Sequence, residues 1–251
     1  MLSANLWHDW PRQRRWPARL EALAQLVESE QAEVVLLQEV ARTRTMRADE
    51  WLAGRLNMHC LYARANGHRV VEFEEGVAVL SRFPLGQAQV RQFRARLNPF
   101  VRRVALGTVM ATPNGPVAAV SVHLSLTPGR NARQLAALPG WVSGLAGAHP
   151  AVIGGDFNAP EHRAGIRGAR QHWLDTFRHL HPHADGATHE LCWPGGRTLR
   201  RQRLDYIFWQ AGQHPWRVLE ARHLEAPTAP HSDHLAVVAR LAPLAPAPVA
   251  Q

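Results

Sequence analysis

Short apolar runs recur along the whole chain, and they constrain the fold more than any other feature. Each run is rich in β-branched residues or bounded by Gly or Pro, so strands are favoured over helices. The runs cover residues 3–7, 34–37, 76–80, 104–110, 117–122, 151–153, 204–209 and 235–241. We therefore expect eight or more strands.

Two longer segments instead have a helical period. Residues 17–31 have apolar side chains on one face, with Pro17 in the first turn, and residues 131–145 are similar but interrupted at Pro139-Gly140. Many strands with a few helices predict an α/β or α+β fold in which helices cover the sheets.

No linker-like segment and no internal repeat divides the 251 residues. We expect one domain over residues 1–241 and a disordered Pro/Ala-rich tail over residues 242–251. A hydrophobic content of 46% excludes wholesale disorder. No apolar run approaches the roughly 20 residues of a membrane span, and the N-terminus lacks the apolar core of a signal peptide. A complete chain of this kind is expected in the cytoplasm.

The net charge is +9, and all 29 basic residues are arginine. A basic balance favours phosphate-bearing partners, onto which arginine can fork with two hydrogen bonds. The absence of lysine indicates biased coding composition, which weakens this signal. Cys60 and Cys192 lack metal-ligand spacing and are interpreted as ordinary thiols.

Polar residues lie in or directly beside the predicted strands. Because loops that leave strands gather ligands at one rim of a sheet, these residues are candidates for a common site. The set comprises Asn5, Glu39, His123, Asp156, Asn158, Asp205, Asp233 and His234. Oxygen donors favour Mg²⁺ or Mn²⁺ over zinc, and the combination with imidazoles suits phosphate-ester hydrolysis.

The stretch GGDFNAP, residues 154–160, follows one of these runs directly. Its residues are typical of a plain turn, but they could also form a catalytic strand end. In an extended stretch, Asp156 and Asn158 would point to the same side and Phe157 to the other. Asp205 lies inside an apolar run and needs a basic partner, for which His234 is the natural candidate.

Seven stretches in this order resemble the endonuclease/exonuclease/phosphatase superfamily of metal-dependent phosphoesterases. They are SANLW, VVLLQEV, EEGVAVLSRFPL, VAAVSVHL, VIGGDFNAP, RQRLDYIF and PHSDHLAVVARL, spanning residues 3–241. The resemblance implies a DNase-I-like four-layer α/β/β/α sandwich, and it favours the catalytic interpretation of GGDFNAP over a plain turn.

The resemblance also implies metal-binding roles. Glu39 would be the principal Mg²⁺ (or Mn²⁺) ligand, Asn5 would support the metal and the phosphate, and Asp233 would contact the metal or its water.

The remaining residues would act on the phosphate. Asp156 would position or deprotonate the attacking water, and Asn158 and His123 would hold phosphate oxygens. His234 would lie against the scissile phosphate, with its ring held by Asp205.

Three further features have open alternatives. Arg103, with Arg102 as its rival, is the candidate arginine for phosphate contact, but both could be solvated. Trp7 and Trp10 either pack or stack on a substrate group. The histidines at positions 179, 181, 183 and 189 are interpreted as a loop rather than a metal site.

For the substrate, the charge favours a nuclease, on DNA or RNA. The stretches NLWHDW and QEV differ from those of abasic-site endonucleases and disfavour that group. The alternative is a lipid or small-molecule phosphoesterase, sphingomyelinase-like or phosphatase-like, acting on a lipid headgroup or small phosphodiester. We expect a monomer.

Overall fold

The computed structural model describes residues 1–12, 15–68, 72–93, 102–193, 197–213 and 215–244. The strands are β1 (Leu2–Asn5), β2 (Val34–Thr43), β3 (His59–His68), β4 (Phe73–Ser81), β5 (Gln89–Phe93), β6 (Arg103–Thr112), β7 (Gly115–His123), β8 (Ala151–Asp156), β9 (Leu174–Asp175), β10 (His189–Cys192), β11 (Thr198–Gln202), β12 (Asp205–Gln210), β13 (Trp216–Leu224) and β14 (Ala236–Pro243). The helices are α1 (Trp16–Ser29), α2 (Ala48–Leu56), α3 (Pro128–Ala146), α4 (Ala164–His172) and α5 (Thr176–Leu180).

Two six-stranded sheets form the centre of the molecule. The first has the order β13-β14-β1-β2-β4-β3 and the second the order β5-β6-β7-β8-β12-β9. In each sheet one central pair is parallel, β1 with β2 and β7 with β8, and the other pairs are antiparallel. Strands β10 and β11 form a separate hairpin.

Three hydrophobic clusters divide the fold into four layers. One cluster joins α1 and α2 to the outer face of the first sheet, and another joins α3 and α4 to the outer face of the second. The third lies between the sheets, where Leu36 and Val79 share a cluster with Leu106 and Ile207. The predicted α/β/β/α sandwich is confirmed.

The structure differs from the sequence-based expectation in α3. This helix continues through Pro139 without interruption. The apolar face of α3, which includes Leu135, Leu138 and Val142, is buried against the second sheet and holds the helix together across the proline.

The C-terminal boundary also differs in detail. Ala242 and Pro243, expected in the tail, lie at the end of β14, and the rest of that tail beyond residue 244 is outside the described residues. Among the helices of the described ranges, none has the length and apolar character needed to cross a membrane.

Candidate active site

The predicted site residues meet at one rim of the sandwich. Asn5, His123 and Asp156 are the last residues of β1, β7 and β8, and Asp205 is the first residue of β12. Because β12 runs antiparallel to β8, Asp205 pairs directly with Asp156, and His123 pairs with Asp156 from the other side.

Glu39 reaches this rim through a β-bulge in β2. Leu37 pairs with Ala78 and Val40 with Gly76, so Gln38 and Glu39 together oppose a single residue of β4. Glu39 has a left-handed φ of 51°. In a regular strand its side chain would follow Leu37 into the cluster beneath α1 and α2, but Val40 occupies that face instead. A left-handed φ in a strand interior is uncommon for a non-glycine residue, and such strained positions cluster at functional sites.

The Asn5 side chain connects two carboxylates. Its Nδ2 donates to Glu39 Oε1 at 3.3 Å and to Asp156 Oδ2 at 3.2 Å, and its Oδ1 accepts from the Trp7 amide at 2.9 Å. The backbone amide of His8 donates to Glu39 Oε2 at 3.3 Å. The two sheets therefore contribute one acid each, held together by an amide.

Asp156 and Asn158 lie on the same side, but for a different reason than strand alternation. Asn158 has a left-handed φ of 49°, so the chain has already left the strand. The backbone N–H of Asn158 donates to Asp156 Oδ1 at 2.8 Å, and the side-chain Nδ2 of Asn158 donates to Asp156 Oδ2 at 3.1 Å, in an Asx-type turn. Phe157 is fully buried, with its ring edge-on to Tyr206 and Phe208.

Each of the two glycines before Asp156 occupies a position where a side chain would clash, and the clash is different at each. A Cβ on Gly155, which has a φ of +150°, would lie 2.0 Å from the Val122 carbonyl oxygen of the neighbouring strand. A Cβ on Gly154 would lie 2.8 Å from Leu36 Cδ1 of the facing sheet. The glycines thus permit the close approach that brings Asp156 to the rim.

Asp205 and His234 form a buried pair. His234 Nδ1 is 2.8 Å from Asp205 Oδ2, which also accepts from Thr188 Oγ1 at 2.6 Å. Burial disfavours the imidazolium, but the charge and hydrogen bond of Asp205 outweigh it and raise the pKa of His234 to about 10. Within the described residues, Asp205 Oδ1 is buried without a hydrogen-bond partner.

For Asp156, in contrast, the effect of burial on the pKa exceeds that of the neighbouring charges that stabilise the ionised form. Burial and repulsion from Asp205 raise its pKa to about 6, although His234 and His123 partly counteract this. His123 Nε2 lies 3.6 Å from Asp156 Oδ2. A carboxyl group that titrates near neutrality is suited to proton transfer.

The sequence interpretation missed Glu75, which is buried on the far side of His123. Glu75 Oε1 lies 3.5 Å from His123 Nδ1 and 3.8 Å from Arg103 Nη1, and Oε2 accepts from Asn66 Nδ2 at 2.6 Å. Burial opposes ionisation, but His123, Arg103 and Asn66 outweigh it and lower the pKa of Glu75. Strand alternation could have found it, because Glu75 shares the inter-sheet face with Val77.

Of the two candidate arginines, Arg103 is the one beside the site. Its Nη1 is 3.2 Å from His123 Nδ1, and its side chain is mostly buried. Arg102 is exposed and bonds to Asn66 through its backbone.

Asp233 is exposed, next to the buried His234 in the sequence. His189, Asp233 and His234 offer ligand atoms within 4.8 Å of one another, as do Asp156, Asp205 and His234. Glu39 belongs to neither group, and its contacts in the described residues run through Asn5 and His8.

His189 was expected in a loop but lies in β10, with its ring 4.5 Å from that of His234. No regular pattern marks this short exposed hairpin strand. Of the other clustered histidines, His181 bonds to the Ala221 carbonyl at 2.9 Å, and His179 and His183 are exposed.

Aromatic side chains flank the Glu39 end of the site. Trp10 is 46% exposed, with its ring 5.1 Å from Phe73, and His8 lies 5.3 Å from Phe73. Trp7 stacks under the Arg19 guanidinium at 4.8 Å. The surface beside Glu39 therefore offers a partly exposed ring for stacking.

The fold is that of a known group of enzymes. The sequence model of the Endonuclease/Exonuclease/phosphatase family matches residues 2–234, and the chain belongs to that family. Members are hydrolases that act on phosphoester bonds, and they generally depend on a divalent metal. A search of curated proteins by sequence gives no match.

Solved structures show the same fold. An endonuclease/exonuclease/phosphatase family protein from Leptotrichia buccalis is 17% identical with a TM-score of 0.74, covering 96% of this chain and 98% of that one. TDP2 of D. rerio, complexed with single-strand DNA product, is 14% identical with a TM-score of 0.77, covering 96% and 97%. The mannosyl-6-phosphatase of Bacteroides thetaiotaomicron is 15% identical with a TM-score of 0.70, covering 96% and 98%.

Proposed function

We propose that this protein is a divalent-metal-dependent phosphodiester hydrolase that acts on nucleic acid by in-line attack of an activated water. One observation carries the proposal: carboxylates from both sheets, Glu39 and Asp156, share the Asn5 amide on one side of a rim whose other side holds His123 and the Asp205–His234 pair.

The donor set fits a hard cation. Glu39 with Asp233 would hold the ion, and Asn5 would orient the Glu39 carboxylate. Oxygen donors favour Mg²⁺ or Mn²⁺, and within the described residues Asp205 Oδ1 is one further buried oxygen without a hydrogen-bond partner. When bound, such an ion neutralises developing charge on phosphate oxygens.

Asp156 is the proposed base that positions and deprotonates the water. Its pKa of about 6 leaves it ionised at neutral pH while still able to accept a proton. Asn5 and Asn158 fix the orientation of its carboxylate through hydrogen bonds at 3.2 and 2.8 Å.

His234 is the proposed source of positive charge. With a pKa raised to about 10, its ring is protonated at neutral pH, and Asp205 fixes Nδ1 so that Nε2 can face the phosphate. His123, Arg103 and Asn158 would hold the remaining phosphate oxygens, with Glu75 orienting His123.

Three observations support nucleic acid as the substrate. The net charge of +9 favours a phosphate backbone, and the partly exposed Trp10 offers a ring for base stacking. The fold is also that of TDP2, which was solved with single-strand DNA product.

A lipid or small-molecule ester is the second candidate, and a specific surface favours it. The β10–β11 hairpin exposes Leu191, Trp193 and Leu199, each more than half accessible. The structural similarity to a mannosyl-6-phosphatase also supports a small phosphate ester as the substrate of this second candidate.

A substrate panel tests the proposal. It contains single-stranded and supercoiled DNA, RNA, sphingomyelin, phosphoinositides and bis-p-nitrophenyl phosphate, each with Mg²⁺, Mn²⁺ or EDTA. We expect DNA or RNA to be cut with either metal and not with EDTA. Cleavage of the lipid alone would select the second candidate, and turnover indifferent to EDTA would exclude a metal-dependent mechanism.

A further inference from the structure

A pocket of about 500 Å³ opens directly beside the candidate catalytic centre. Asn158, which bonds to Asp156, lines it together with Leu126, Pro160, Arg163, Arg200 and Gln202. A group bound in this pocket could therefore belong to the same substrate molecule as a phosphate held by Asn158, a few covalent bonds away. Its volume lies within the range of small-ligand pockets, roughly 300–1,000 Å³.

The two arginines of this pocket differ from Arg203 in both burial and charge partners. Arg203 is almost fully buried between two carboxylates. Arg163 and Arg200 are exposed, and within the described ranges neither forms an ion pair with a carboxylate. Their guanidinium groups are free to bind an anion, which arginine does with two parallel hydrogen bonds.

The pocket is connected to the catalytic histidine through the hairpin. Arg200 pairs with Leu191, and Gln202 pairs with His189, so these four side chains share one face of β10–β11. His189 in turn contacts His234. The hairpin face that lines the pocket therefore extends to His189 and its ring contact with His234.

The pocket also has an apolar portion. Leu126, which is 71% exposed, and Pro160 line it near the arginines, and the buried Leu204 contributes to its wall. Exposed leucine beside unpaired arginines suits a ligand that carries both an anion and a flat apolar surface. A nucleotide has both.

We propose that this pocket, defined by Arg163, Arg200 and Leu126, binds the nucleotide next to the scissile phosphate and that its two arginines contact that nucleotide's own phosphate. The proposal rests on the proposed function, and it adds that the preferred substrate is a nucleic-acid strand with a second phosphate adjacent to the one cleaved.

The kinetic test uses the variants Arg163→Gln and Arg200→Gln. The substrates are bis-p-nitrophenyl phosphate, a thymidine dinucleotide, and the same dinucleotide with an added 5′- or 3′-terminal phosphate. We expect each variant to lower kcat/KM for one phosphorylated dinucleotide by about five- to tenfold, as for a charge-assisted contact of modest strength. Arg217→Gln, an exposed arginine on β13, is the matched control.

The other substrates separate this role from a general defect. The unphosphorylated dinucleotide and bis-p-nitrophenyl phosphate should change by no more than about twofold in the same variants. An equal loss on every substrate, or no loss on any, would overturn the proposal while leaving the hydrolase intact.

A binding test needs no turnover. In EDTA, fluorescence anisotropy with labelled single-stranded dT5 should show that the double variant binds at least tenfold more weakly. The slope of log K against log salt should fall by roughly 0.7, the change expected when one phosphate contact is lost from a single strand. Unchanged affinity and slope would overturn the subsite, whereas lost binding without hydrolysis of any substrate by the wild type would retain it and reject the proposed function.

Discussion

Two groups of buried or half-buried charges each have a member at or just before the start of β12, yet they have opposite chemistry. The first, the arginine cluster, consists of Glu161, Arg170, Asp175, Arg178 and Arg203. The second is the candidate active site, which includes Asp205, two residues after Arg203. In the arginine cluster, Arg203 lies 2.7 Å from both Asp175 and Glu161. In the site, Asp205 and Asp156 pair across neighbouring strands, and within the described residues their ion-pair partners are histidines rather than arginines.

The pKa values show the difference. Burial works against ionisation of Glu161, but hydrogen bonds from Arg178 and Arg203 outweigh it and lower its pKa to about 2. Burial and a neighbouring acid raise the pKa of Asp156 to about 6. Matched charges stabilise a fold, whereas mismatched ones keep a proton exchangeable at neutral pH, which is typical of functional sites.

Removing the central cation of the arginine cluster should have the largest effect on stability. Arg203→Met leaves Asp175 buried with one partner fewer, and we expect the free energy of unfolding to fall by about 3 kcal/mol. Urea unfolding measures it. Arg201→Met is the control, because its ion pairs with Glu190 and Asp185 are solvated and should matter far less. A similar loss of unfolding free energy in both variants would contradict the expected difference between the buried and the solvated ion pairs.

The corresponding change in the site should affect activity instead. Asp156→Asn is expected to reduce hydrolysis by about 10²-fold or more, because the base is lost. Stability should be unchanged or higher, since one of two facing acids is neutralised. Asp185→Asn, at an exposed acid, is the control. Normal turnover by a folded Asp156→Asn protein would remove this residue from the mechanism.

Glu75→Gln tests whether the acid behind His123 belongs to the functional group. We expect kcat to fall about tenfold, as for partners that orient an active-site histidine. Glu74→Gln is a close control, since Glu74 is adjacent but pairs with Arg64 at the surface. If the two variants behave alike, Glu75 is only structural.

His223 gives a smaller effect that depends on pH. Burial, followed by the charge of Arg203, lowers its pKa to about 4, and its ring stacks on Phe177 at 4.0 Å. The unfolded chain takes up this proton near pH 6.5. Stability should therefore decline as the pH falls from about 6.5 to about 4.

His223→Phe should flatten that decline and raise the free energy of unfolding by about 1 kcal/mol at pH 5 relative to the wild type. Thermal or urea unfolding at pH 7 and pH 5 measures it. An unchanged pH slope would show that folding does not lower the pKa of His223.

The predictability of the strands depended on their place in the sheets. The eight predicted strands occupy interior positions, where both faces are covered and the sequence is a nearly continuous apolar run. The four missed sheet strands, β3, β5, β9 and β13, are the four sheet edges. Four of the five residues of β5 are exposed, so packing selects no apolar pattern there.

The same reason applies to the site. Residues at the ends of interior strands, such as His123 and Asp156, stood out against apolar runs. Glu75 was hidden in an acidic pair at the start of β4, and His189 lies on the exposed hairpin. Asn158 was placed on the correct side, but through a turn, because sequence spacing does not reveal a left-handed residue.

Because of the bulge, Glu39 is an extra residue in β2, and it does not take the place of an apolar residue in the pairing of β2 with β4. Because Val40 already fills the face beneath α1 and α2, deleting residue 39 alone would restore unbroken pairing between β2 and β4 with every apolar side chain in place. The acid could thus be gained or lost in evolution by a single-codon length change, and the shortened sheet would remain a well-packed scaffold without this carboxylate.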